Sequence, residues 1–238
     1  MSLVTTVYVP EGIVISSDSR IVININSKVN ETLERTSYVL SDTSKKIKLL
    51  DNRFGISAYG QISVKSLPVV EHLEAFEIEY IKPETKISQI PMMLIEFFNK
   101  KFGEINTIFY LAGYLQENNI QIPHVYLVDV RQKIVNRLNT INNEISYSAS
   151  WGGETEMLTR LFGQIQVKGR GDEWQIMERG TVHYEFMSLE DAVYFSRYLV
   201  DVSSKMFRYQ LKLQSVGGKI STLVIPRHDF PYFIEEND

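Results

Sequence analysis

The chain has 238 residues, of which 44% are hydrophobic, 23% charged and 11% aromatic, and its net charge is −4. These are the proportions of an ordinary globular protein with enough chain to bury a core, and the negative balance supplies no basic surface for nucleic acid. The complete lack of cysteine excludes disulfides, thiol nucleophiles, thiolate zinc sites and iron–sulfur clusters.

Residues 5–9 are β-branched and aromatic, and Gly12–Ser17 repeats that character. Pro10-Glu11-Gly12 between them predicts a tight hairpin. Residues 24–36 are polar and mixed in pattern, and are expected to form an irregular excursion. A second hairpin is predicted from 46–50 and 54–59, turning at Asp51-Asn52-Arg53. From Gln61 the period changes: Val64, Leu67, Val70, Leu73 and Phe76 recur at three-residue steps, predicting a helix to about Ile81 with Pro68 in its first turns. Ile87, Ile90, Leu94, Phe97, Phe98 and Phe102 predict a second helix closed by Gly103.

Strands are expected again at 107–114, 124–130, 133–140 and 145–150, then a short helix at 154–162 behind Gly152-Gly153. Ser188-Leu189-Glu190-Asp191 is a capping box opening a long helix to about Met206. A last hairpin is expected from 210–215 and 219–225 around Gly217-Gly218, followed by a frayed acidic tail at 235–238. No linker or repeat divides the chain, so a single domain over 1–238 is expected. The element order predicts an α+β fold of two antiparallel sheets flanked by helices.

The four histidines, His72, His124, His183 and His228, are too scattered to predict a metal centre. Trp151-Gly152-Gly153-Glu154 is not a phosphate loop, and no cofactor is expected. No apolar run approaches eighteen residues, so no membrane span is expected. Met1-Ser2-Leu3-Val4 has neither the basic cluster nor the apolar core of a secretory signal, so the expected location is the cytoplasm.

Hairpin arithmetic brings one chemical grouping together. With Val9 opposite Gly12, paired positions sum to about 21, so Asp18 falls beside residue 3 or 4, next to Ser2. Methionine before a small residue is readily removed, and a chain beginning at Ser2 carries an amine and a hydroxyl on one residue. The amine, with an ordinary pKa of about 7.7–8.0, is a general base near neutral pH. The hydroxyl is the nucleophile that it activates.

Glu11-Gly12-Ile13-Val14-Ile15-Ser16-Ser17-Asp18-Ser19-Arg20 resembles the second strand of proteasome β subunits and of their bacterial HslV and Anbu relatives. Ser41-Asp42-Thr43-Ser44-Lys45-Lys46-Ile47, followed by the strand to Gly60, resembles the next family segment. Residues 188–206 resemble the family's late helix. The resemblance covers most of the chain and implies the four-layer αββα sandwich of N-terminal-nucleophile hydrolases. It implies Ser2 as nucleophile, Asp18 and Lys46 as charged groups that tune it, and the Gly60 N–H as an oxyanion-hole donor. It further implies a peptide or amide substrate, a homo-oligomeric ring and an ATP-dependent unfoldase partner.

The chain departs from the family pattern at several points. Serine stands where the family has threonine, and the segment from Asp18 to Lys46 is longer. Trp151-Gly152-Gly153 lacks the serine of the family's Gly-Ser-Gly. The late aspartate falls on Lys212, although the late serine is kept at Ser215. Thr5 and Thr6 are alternative nucleophiles, but each breaks the register with Asp18. Read without the resemblance, Ser2 is a polar terminal residue and Asp18 caps a strand or pairs with Arg20. Lys46 is then a solvated lysine, and Gly60 a strand-to-helix turn. The second functional reading is an inactive structural or regulatory ring subunit; a small-molecule amidase is a third.

Overall fold

A computed structural model describes residues 2–29, 32–61, 63–169, 171, 173–177, 180–211 and 213–234. Lys212 and the expected tail at 235–238 lie outside the described residues. β1 (Leu3–Val9) and β2 (Gly12–Ser17) form the hairpin that Pro10 and Glu11 dictate, with Val9 opposite Gly12 and Val4 opposite Ser17. β3 (Ile21–Val29) and β4 (Thr32–Ser41) pair only with each other. The excursion expected at 24–36 is thus a long two-stranded ribbon. Three successive residues, Tyr38, Val39 and Leu40, are all exposed on it, so the sequence there offers no apolar–polar alternation to read.

β5 (Ile47–Leu50) and β6 (Phe54–Gly60) turn through Asp51 and Asn52, both at positive φ. The helix expected from Gln61 begins later. Lys65 and Ser66, at φ 47° and 66°, turn a miniature hairpin of β7 (Ser63–Val64) and β8 (Leu67–Pro68). Pro68 is extended and ends that hairpin; a 3-10 turn at Val69–Glu71 then leads into α1 (His72–Tyr80). Proline before a helix is compatible with its fixed φ, whereas inside one it breaks a backbone bond. α2 (Ile90–Phe102) stops at Gly103 as expected.

β9 (Thr107–Glu117), β10 (Ile120–Asp129) and β11 (Ile134–Arg137) form a meander. The strand expected at 133–140 is divided, its end being β12 (Thr140–Ile141), which turns at Asn142-Asn143 into β13 (Glu144–Ile145). β14 (Ser148–Gly153) and α3 (Glu156–Phe162) follow. An unanticipated small hairpin joins β15 (Gln166–Lys168) to β16 (Trp174–Ile176). α4 (Leu189–Arg208) opens on the reciprocal capping box of Ser188 and Asp191. The last hairpin is displaced: β17 (Ser221–Pro226) pairs with β18 (Tyr232–Ile234), and no strand lies at 210–215 among the described residues.

The result is a mixed α+β fold with two five-stranded antiparallel sheets, ordered β14-β1-β2-β17-β18 and β11-β10-β9-β6-β5. One core cluster joins Val4, Ile13, Ile15 and Leu223 of the first sheet to Ile47, Tyr110 and Val125 of the second. On its other face the second sheet packs Ile56, Phe109 and Leu111 against Leu73 and Phe76 of α1 and Leu94 and Phe98 of α2. Beyond the first sheet, Leu3 packs with Leu158 of α3 and Leu199 of α4, and Val7 and Val14 pack with Ala192. β1 and β2 are covered on both faces, so every residue in them is buried, and neither alternates between apolar and polar residues along its length. Among the described residues no helix is long and apolar enough to cross a membrane.

His124 on β10 is buried, with Nδ1 2.7 Å from the Tyr126 hydroxyl. Burial, aided by the Arg137 charge, pushes its pKa down to about 4. The unfolded chain, with an ordinary histidine near 6.5, therefore binds the proton first. His124 contributes stability that is present above pH 6.5 and is lost as pH falls from there through 4. A proton-NMR titration is expected to find this imidazole neutral down to pH 5; a midpoint near 6.5 would contradict its burial.

Candidate active site

Asp18 lies one residue beyond β2, where the hairpin register returns the chain to the start of β1. The Leu3 N–H donates to Asp18 Oδ1 at 2.9 Å, and the Asp18 N–H donates to the Leu3 carbonyl at 3.3 Å. The same Oδ1 accepts from Lys46 Nζ at 2.6 Å. Oδ2 accepts from the backbone N–H groups of Arg20 and Gly217, each at 3.2 Å. Lys46 donates a second bond to the Arg20 carbonyl at 2.8 Å.

Both side chains of this ion pair are almost wholly out of water, at 4% exposure for Lys46 and 1% for Asp18. Such a pair is tolerated only with close geometry and further hydrogen bonds to its remaining atoms, and both conditions are met. Burial pushes the Lys46 ammonium below the usual lysine range, with Asp18 opposing that shift.

Next to this pair, Arg20 forks onto Asp42, with Nε to Oδ1 at 2.6 Å and Nη2 to Oδ2 at 2.8 Å. That hydrogen bonding raises the Arg20 pKa and lowers that of Asp42. The Ser19 hydroxyl donates to the Asp42 carbonyl, and the Ser44 N–H donates to the Ser19 carbonyl at 3.0 Å. These contacts clamp the root of the β3–β4 ribbon beside the buried pair.

Ser2 is fully buried, and its Oγ has no hydrogen-bond partner among the described residues. Its carbonyl accepts from the Glu154 N–H at 2.8 Å, because β1 pairs with β14 and Leu3 faces Gly153. Gly153, at φ +95°, lets the two chains approach there; a Cβ would collide with the Ser2 carbonyl oxygen. Glu154, which the sequence reading did not single out as a functional residue, therefore sits opposite Ser2. Its Oε2 accepts from the Ser215 hydroxyl at 3.5 Å, so the late serine does lie in this neighbourhood.

Gly60 closes β6 two residues after Ala58, whose N–H donates to the Lys46 carbonyl at 3.1 Å. Its neighbour Tyr59 packs where a Cβ on Gly152 would fall. Gly60 has φ +89°, and a side chain there would meet the Asn106 carbonyl, so the backbone requires glycine at this position whatever its chemistry.

Of the alternative nucleophiles, Thr5 is occupied, its hydroxyl lying 2.9 Å from Ser196 Oγ on α4. Thr6, Ser17 and Ser57 share with Ser2 a buried hydroxyl without a partner among the described residues, but of these only Ser2 adjoins Leu3, whose N–H binds Asp18. Among the described residues no group of three or more His, Asp or Glu side chains is placed to hold a metal ion. A scan against protein-family models matches no family to the chain, and a search of curated proteins finds no relative.

Proposed function

We propose that the chain is a proteasome-like N-terminal-nucleophile hydrolase that cleaves peptide or amide bonds through an acyl-enzyme on Ser2. The observation that carries this reading is a buried, unpartnered hydroxyl on Ser2, one residue before the Leu3 N–H that binds a buried carboxylate–ammonium pair. Leaving such a hydroxyl unpaired costs about 1–3 kcal/mol, and a catalytic role is one reason a native fold keeps one. The core clusters support the four-layer αββα reading, with helices on the outer faces of two stacked sheets.

With Ser2 as the first residue, its amine takes the Oγ proton as Oγ bonds to the substrate carbonyl carbon. The resulting oxyanion is held by the Gly60 N–H. The amine then passes its proton to the leaving nitrogen as the scissile bond breaks, and water hydrolyses the ester that remains. Lys46 lowers the proton affinity of the Ser2 groups by its charge, and Asp18 fixes both Lys46 and the first strand. Glu154 is a positioning residue opposite the amine, on the side where the family's serine is missing. Ring assembly and an unfoldase partner belong to the same reading.

A fold kept without its chemistry is the second reading, favoured by the missing late aspartate and by Trp151-Gly152-Gly153, which lacks the serine of the family's Gly-Ser-Gly. Reaction of untagged protein with a peptidyl epoxyketone or β-lactone separates the two. Intact mass is expected to show loss of Met1 and one adduct, mapped to Ser2 and abolished by Ser2→Ala. Retained Met1, or no adduct on a chain starting at Ser2, would leave the inactive subunit as the reading.

A further inference from the structure

We infer that the end of the sheets remote from Ser2 carries a binding site for a small organic anion with an apolar body, gripped by Arg227 and Tyr114. The Arg227 N–H donates to the Glu11 carbonyl at 2.9 Å, which fixes it at the β1–β2 turn. Asp18 lies at the opposite end of the six-residue β2; at about 3.3 Å per residue the two ends are about 20 Å apart. A cavity of about 410 Å³ opens there, within the size range of small-molecule sites. Phe54, Ile87 and Ile225 give it buried apolar walls, and Phe230 stands exposed at its rim.

Arg227 and Tyr114 both line this cavity. Arg227 Nε and the Tyr114 hydroxyl are buried, and neither has a hydrogen-bond partner among the described residues. A guanidinium offers donors only and keeps its charge. Burial raises the Tyr114 pKa above the usual phenol value, so its hydroxyl remains a donor.

The other groups around the cavity are placed differently. Arg53 is bound to Asp51 Oδ2 at 2.7 Å and to the Lys82 and Pro83 carbonyls at 2.9 Å each. Asp229 Oδ1 accepts from the Phe230 N–H at 2.7 Å, and Glu84 is exposed. The unmet requirement is therefore for acceptor oxygens and negative charge, and the walls require an apolar body attached to them. A carboxylate or a phosphate monoester meets it.

The test is calorimetric titration of the full chain with phenylacetate and phenyl phosphate, against benzyl alcohol and inorganic phosphate. At least one aromatic anion is expected to bind saturably, and which one identifies the headgroup. Benzyl alcohol and inorganic phosphate should each bind at least about tenfold more weakly. Arg227→Met is expected to weaken binding about tenfold, Tyr114→Phe a few-fold, and Ser2→Ala not at all. If Arg227→Met does not fold, Tyr114→Phe, which removes one oxygen atom, decides. The proposal is overturned if neither aromatic anion saturates, if a control binds equally well, or if the folded variants keep full affinity.

Discussion

Replacing Lys46 by methionine is expected to lower the unfolding free energy by about 3–5 kcal/mol, the range for stripping one partner from a buried ion pair. Methionine fills most of the lysine stem and removes the charge, so Asp18 keeps three backbone donors but loses its counter-ion. Urea denaturation should show the loss as a lower midpoint at unchanged slope. The double variant Lys46→Met with Asp18→Asn should recover part of it, because a neutral buried pair carries no ionic desolvation penalty, while the new amide nitrogen cannot accept the backbone N–H bond that a carboxylate oxygen took. Lys205→Met supplies the contrast. Its partner Asp201 lies 2.7 Å away, but the two side chains are 70% and 41% exposed, and surface pairs of this kind contribute about 0–1 kcal/mol. Equal losses for the two lysines would be inconsistent with the burial of the Asp18–Lys46 pair.

Gly153→Ala is the second large effect. Its φ of +95° is costly for any residue with a Cβ, and the added atom would also fall on the Ser2 carbonyl oxygen. Strain and overpacking at about 1–3 kcal/mol each predict a loss of about 2–6 kcal/mol. The bond from the Glu154 N–H to Ser2 would be broken as β1 is displaced, so epoxyketone labelling should fall as well. Gly103→Ala is the matched control: its φ is +73°, but nothing lies within 4 Å of a new Cβ, so only the conformational cost, about 1–3 kcal/mol, is expected. A Gly153 variant no worse than the Gly103 variant would show that β1 and β14 do not approach as closely as described.

The first hairpin was legible because Pro10 and Glu11 mark its turn, which narrowed the neighbour of Asp18 to residue 3 or 4; the structure selects Leu3. The bond from Lys46 to Asp18 spans 28 residues, and no local spacing encodes it; the resemblance supplied it. Glu154 was missed as a functional residue because its place opposite Ser2 depends on β1 pairing with a strand about 150 positions away. Gly217-Gly218 was misread as a hairpin turn. Gly217 is instead a point of close approach, where a Cβ would lie 2.7 Å from the Arg20 guanidinium carbon. The start of α1 was hidden because Lys65 and Ser66 turn the chain at positive φ without the glycine or asparagine that usually marks such a turn.

The β3–β4 ribbon leaves the body of the protein three residues after Asp18 and returns five residues before Lys46. Its two moorings are thus the two halves of one buried charge pair, stitched together by Arg20 and Asp42. The entropy of closing a loop grows only slowly with its length. The arm between those moorings is therefore free to be lengthened, trimmed or retipped without disturbing the pair beneath it, whereas cutting the stitch at its base would let any tug on the arm reach the carboxylate.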